Sequence, residues 1–114
     1  MSKLSIFHNP RCSKSRQALA ILRENGHEPE IILYLEQTPD TAMIKSVLAK
    51  LGLSAGDILR WGEAEYKTHF KDITDEDELI LLMARFPKVI ERPIIIAGDR
   101  AVIGRPPEAV RELL

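Results

Sequence analysis

This chain has a single cysteine, so neither an internal disulfide nor a multi-cysteine metal site can form within it. An excess of positive charge is also missing. Sixteen Lys+Arg stand against 17 Asp+Glu, a net charge of -1, whereas a general nucleic-acid or membrane binder is usually more basic. No apolar run approaches the length of a membrane span. Met1-Ser2-Lys3-Leu4 is not followed by a signal-peptide core, which makes the cytoplasm the expected location. Linkers, low-complexity tracts and internal repeats are lacking too, so residues 1–114 are read as one domain. What remains is 45% hydrophobic and 29% charged, the balance of a soluble folded protein. A chain of this size buries roughly two-thirds of the surface it exposes when unfolded, enough for a core without staples.

The hydrophobic pattern predicts a short strand over Lys3–His8, with Leu4 and Ile6 on one face. Asn9-Pro10 marks a turn, and helical spacing of Ala18, Leu19 and Leu22 follows from about Ser13 to Asn25, with Gly26 as its stop. A second strand is expected over Glu30–Leu35, its Ile31-Ile32-Leu33 run too continuous for a half-exposed edge. Strand, helix, strand predicts a parallel pair with a right-handed crossover. The middle reads as helical. Thr38-Pro39 suggests a cap, Met43, Ile44, Val47, Leu48 and Leu51 form a stripe, and Gly52 ends it. Ser54 is expected to cap a shorter helix through Leu59. Thr74 with Asp77 resembles a capping pair before a helix carrying Leu79, Ile80, Leu82 and Met83, which Pro87 stops. Two apolar runs, Pro93–Ala97 and Arg100–Gly104, flank Gly98-Asp99, a two-residue hairpin turn. Pro106-Pro107 opens a last helix to Leu114. The order βαβ, helices, ββα describes an α/β protein with a mixed sheet, the order of the thioredoxin-like fold with a helical insertion.

Cys12 falls between the first strand and the first helix, at the carboxyl end of the strand, where open α/β sheets bind ligands. The helix start offers free N–H groups and a partial positive charge, and Arg11, Lys14, Arg16 and His8 are near in sequence. These settings favour a thiolate nucleophile over a thiol. A free cysteine is often only a small hydrophobe, but a polar cationic loop makes that reading the poorer one here. Spacing excludes several chemistries. Ser15 stands where a dithiol C-x-x-C centre needs its second cysteine, and Ala18 stands where a cysteine phosphatase loop needs arginine. His8, His27 and His69 lack metal-ligand spacing, so no metal is expected.

The hairpin register brings two arginines together. If Ala97 faces Arg100 across the turn, Pro93 faces Gly104 and Arg92 faces Arg105. At about 5 Å and an effective dielectric near 20, two such charges repel by roughly 3 kcal/mol. An oxyanion between their forks would reverse the sign. The plainer alternative is that both point to solvent or pair with Glu91 and Glu108. Arg60 is a third candidate, although alone it reads as a helix-end cation. His27 is expected to be exposed, His69 to pack beside Tyr66 and Phe70, and Trp61 to cover a core edge.

At His8-Asn9-Pro10-Arg11-Cys12-Ser13-Lys14-Ser15-Arg16 the sequence resembles the glutaredoxin-linked arsenate reductase family. The likeness extends through Ile32–Leu35, Leu59-Arg60, Glu91-Arg92-Pro93-Ile94 and Gly104-Arg105-Pro106. It implies that Cys12 attacks arsenate, that Arg60, Arg92 and Arg105 hold the oxyanion, and that His8 and Ser15 support the thiolate. It also implies a cis peptide bond at Pro93, glutathione as co-substrate, glutaredoxin as the recycling partner, and no tightly bound cofactor. The chain is expected to act as a monomer. Two relatives of the same fold offer alternatives. An Spx-type regulator would bind RNA polymerase, but such proteins often use a C-x-x-C switch that Ser15 denies. A monothiol glutaredoxin matches C-x-x-S, yet places a small apolar residue where this chain has Arg92.

Overall fold

A computed structural model describes residues 4–114. They form two compact units, one of residues up to Tyr34 together with Arg92–Leu114, the other Leu35–Glu91.

The first unit holds strands β1 (Leu4–Phe7), β2 (Glu30–Ile32), β3 (Ile94–Ala97) and β4 (Arg100–Ile103), with helix α1 (Ser13–Glu24) and a 3₁₀ helix, Pro107–Leu113. The sheet order is β2-β1-β3-β4. β1 runs parallel to β2, and β3 is antiparallel to both β1 and β4. This is the mixed sheet expected from the element order. Alternation along β1 sends Leu4 and Ile6 into a core with Ala18, Leu19, Leu22, Ile95 and Val110. Each large apolar side chain so buried contributes roughly 1.5–3 kcal/mol.

The sequence expectations need several corrections here. The first strand is shorter than Lys3–His8: Lys3 lies outside the described residues, and His8 has left the strand, although its N–H still donates to the Ile32 carbonyl at 2.9 Å. The second strand ends at Ile32 rather than Leu35, because the chain turns there and Tyr34 goes inward to stack on Phe7. It is also an edge strand, since the inner flank of β1 belongs to β3. The hairpin matches its expected register, with Ala97 opposite Arg100 and Gly98 at φ 63° in the turn. The last helix is 3₁₀ rather than a full α-helix, and drops Val110 into the core.

The second unit contains α2 (Thr41–Leu51), α3 (Ala64–His69) and α4 (Glu76–Arg85), with 3₁₀ turns at Ala55–Ile58 and Pro87–Val89. α2 packs on α4. Ile44, Val47, Leu48, Ile58, Phe70, Ile80 and Met83 are buried. Two caps differ from expectation by one or two residues. Asp40, not Thr38, accepts the Met43 N–H at 2.8 Å, and Asp75, not Thr74, accepts that of Glu78 at 2.9 Å. In both cases the carboxylate three residues before the free amide is the group that reaches it. Ser54 caps as expected, through a reciprocal pair with Asp57, but the helix it opens is a single 3₁₀ turn. Leu59 instead bridges Ile90. Trp61 does not cover a core edge. It lies in a turn, 68% exposed, with its ring stacked on Tyr66. His69 packs on Phe86 at 4.0 Å, and His27 is exposed.

Candidate active site

The loop from β1 to α1 is held by its own backbone. Cys12 N–H donates to the Asn9 carbonyl at 3.0 Å, and Arg11 N–H to Asn9 Oδ1 at 3.0 Å. Arg16 closes the loop from the helix side, donating Nη1 to the Pro10 carbonyl at 2.8 Å. Cys12 is thereby fixed as the N-cap of α1, with extended backbone.

Cys12 is largely covered, at 9% exposure of the residue. The helix amides do not hydrogen-bond Sγ. The donor to it is Arg105, whose Nη2 lies 3.7 Å away. The cationic surroundings expected from the loop are therefore supplied at contact range by a residue from the far end of the chain.

Ser15 is fully buried, and its hydroxyl is not on the sulfur. Oγ accepts the Asn9 N–H at 3.1 Å and lies 2.6 Å from His8 Nδ1. His8 and Ser15 thus act together to brace the loop that carries Cys12. Burial, and then the charges of Arg23 and Arg16, hold the His8 imidazole below its ordinary value of 6.5. The shift favours the neutral ring, which suits a hydrogen-bonded buried group.

Arg92 and Arg105 meet as the register requires, but not fork to fork. Arg105 Nε donates to the Arg92 carbonyl at 2.7 Å, so its guanidinium spans from that carbonyl to the Cys12 sulfur. Arg92 Nε and Nη1 are buried. The Arg92–Pro93 bond is cis, as the resemblance implied, and Arg105–Pro106 is cis as well. Gly104 permits this approach of the two segments. A Cβ there would lie 2.8 Å from Pro93 Cγ, and Gly104 N–H donates to the Pro93 carbonyl at 2.9 Å.

Five of the six expected site residues, Cys12, His8, Ser15, Arg92 and Arg105, belong to the first unit. Arg60 belongs to the second. There its N–H donates to the Val89 carbonyl at 2.7 Å, and its side chain lies between the carboxylates of Glu63 and Glu91. Sequence reading named Glu91 only as a possible partner of Arg92 and Arg105, and did not place Glu63 at the site. The signal available was their closeness to the candidate arginines: Glu63 follows Arg60 by three residues, and Glu91 precedes Arg92. Among the described residues, no three His, Cys, Asp or Glu side chains cluster to hold a metal ion. No helix among them is long and apolar enough to cross a membrane.

A lone cysteine capping the first helix beside this mixed four-stranded sheet is the arrangement of a thioredoxin-like thiol protein. Comparison with known proteins narrows the class. The model of the ArsC family matches residues 7–113, and the chain belongs to that family. It is 47% identical over 115 residues to a protein of Escherichia coli strain K12 known as Uncharacterized protein YfgD, covering 98% of this chain and 97% of that one. It is 42% identical over 117 residues to the arsenate reductase of Neisseria meningitidis strain Z2491, covering 100% of both. Among solved structures, an arsenate reductase from Vibrio cholerae superimposes with a TM-score of 0.93 at 40% identity, covering 99% of this chain and 98% of that one.

Proposed function

We propose that this chain is an arsenate reductase that uses the Cys12 thiolate as its nucleophile. The observation that carries the reading is the Arg105 guanidinium, at 3.7 Å from Cys12 Sγ and hydrogen-bonded to the carbonyl of Arg92. That is a cation set against the nucleophile and ready to take the oxygens of a bound anion. Family membership and full-length similarity to proteins named arsenate reductase support the same substrate.

In the proposed reaction the Cys12 sulfur attacks arsenic(V), a protonated oxygen leaves as water, and a sulfur–arsenic bond forms. A second thiol then attacks, arsenic takes two electrons and departs as arsenite, and Cys12 is left in a mixed disulfide. The chain's only cysteine cannot supply that second thiol. Glutathione fills the role in this reading, and glutaredoxin clears the disulfide, in the cytoplasm, with the reductase acting as a monomer. Arg92 and Arg105 bind the oxyanion. Arg60 enters as a third oxyanion ligand through the resemblance of the Leu59-Arg60 step. His8 and Ser15 hold the loop.

The test couples arsenate reduction to NADPH oxidation through glutathione, glutathione reductase and glutaredoxin. Cys12→Ser is expected to abolish the rate. Arg92→Ala and Arg105→Ala are expected to raise KM for arsenate by roughly tenfold or more, the scale of a lost charge-assisted contact. Wild-type protein that is inert to arsenate with all components present would refute the proposal.

A further inference from the structure

Arg60 is surrounded by more negative charge than an anion ligand needs. Arg60 and Glu91 flank the Leu59–Ile90 bridge, and the backbone fixes both: Arg60 N–H donates to Val89 at 2.7 Å, and Glu91 N–H to Ile58 at 2.8 Å. Glu63 N–H donates to the Arg60 carbonyl at 3.2 Å, which places Glu63 at the N-cap of α3. An acid there would ordinarily turn its oxygen onto the first amides of the helix. The Glu63 side chain does not cap; its Oε1 accepts from Arg60 Nη1 instead. Glu91 Oε1 lies 3.8 Å from Arg60 Nε. The three side chains are 26%, 30% and 27% exposed for Arg60, Glu63 and Glu91, so water screens them only in part. One cation between two carboxylates carries a formal charge of −1, and such a cluster repels a dianion.

Resting on the reading of Arg60 as an oxyanion ligand, we propose that Glu63 is a further binding-site residue, a resident carboxylate that an incoming oxyanion must displace from Arg60. The exchange is local. Arg60 Nη1 releases a carboxylate oxygen and takes an anion oxygen, and no covalent bond changes. A tetrahedral dianion gains about twice the Coulomb attraction of a monoanion from the same guanidinium, so it displaces Glu63 where chloride or nitrate does not. Glu63 is the displaceable partner because it holds a terminal Nη, whereas Glu91 approaches Nε, nearer the anchored backbone.

The experiment titrates sulfate and nitrate calorimetrically into the wild type, Glu63→Gln, Glu63→Asp, Arg60→Ala and the Arg60→Ala/Glu63→Gln double variant. Arsenate kinetics are measured in parallel. Glutamine keeps the size and an acceptor oxygen but removes the charge. Glu63→Gln is expected to tighten sulfate about three- to tenfold and nitrate by a smaller factor, because the charge removed repels a dianion about twice as strongly as a monoanion. The arsenate effect should fall on KM rather than kcat. In the Arg60→Ala background the gain should shrink to less than about twofold. Glu63→Asp, which keeps the charge, should not tighten binding. If Arg60→Ala weakens sulfate but Glu63→Gln leaves it unchanged or weaker, the displacement idea is wrong and the oxyanion role of Arg60 survives. Equal tightening by Asp and Gln also overturns it. If Arg60→Ala does not weaken sulfate, the reading beneath it fails as well.

Discussion

Replacing Ser15 by alanine tests the brace beneath the nucleophile. The substitution deletes one oxygen from a fully buried position and leaves two polar groups behind. These are the Asn9 N–H, which donates to Oγ at 3.1 Å, and His8 Nδ1, 2.6 Å from it. A buried polar group stripped of its partner costs about 1–3 kcal/mol. Alanine returns about 0.5 kcal/mol of helix propensity within α1. The net loss is therefore about 1.5–5.5 kcal/mol. With an unfolding entropy of roughly 2.1 cal/mol/K per residue, that lowers Tm by about 6–23 °C. Urea denaturation followed by far-UV circular dichroism measures the loss, and an unchanged m value shows that the folded state keeps its extent. Ser13→Ala is the control, an exposed serine at the first position of the same helix. If Ser15→Ala is within about 0.5 kcal/mol of that control, Oγ is not holding His8 and the loop, and the bracing argument fails.

Acid should weaken the wild type through His8. Its folded-state value lies below the 6.5 of the free imidazole, so the unfolded chain takes up the proton first as pH falls. His8 therefore costs no stability above about pH 6.5, and stability drops below it until the folded-state value is passed. Comparing urea midpoints of wild type and His8→Asn between about pH 7.5 and pH 5 isolates this contribution; parallel curves would contradict it. Gly104→Ala should destabilise by roughly 1–3 kcal/mol, because the new methyl meets Pro93 Cγ at 2.8 Å in a packed region. It should also lower the rate of Cys12 alkylation by iodoacetamide, since Arg105 is the next residue. A thermal midpoint equal to that of wild type would show that the two segments part without cost.

Hairpin register was legible because a strand has period two and a Gly-Asp turn leaves no slack. From Gly98-Asp99 alone, Arg92 and Arg105 could be counted into opposition. How they resolve that opposition was not legible, since a guanidinium's choice between a carbonyl, a sulfur and an anion depends on three-dimensional packing. Pairing of His8 with Ser15 was equally hidden. It depends on the loop folding Asn9 back over the start of α1, which no periodicity encodes. The helix caps were misplaced because threonine and aspartate both suit the position, and only geometry decides which oxygen reaches the amide. Continuous apolar character misread β2 as interior. It reports total burial, and an edge strand with Tyr34 turned inward just beyond it can carry the same residues.

Ninety-three positions separate Cys12 from Arg105, the cation that touches its sulfur. During synthesis, the cysteine leaves the ribosome long before that arginine has been added. Until the closing hairpin docks against the first strand, the contact between Arg105 and the Cys12 sulfur cannot form, so nucleophile and guanidinium meet only once the fold is complete.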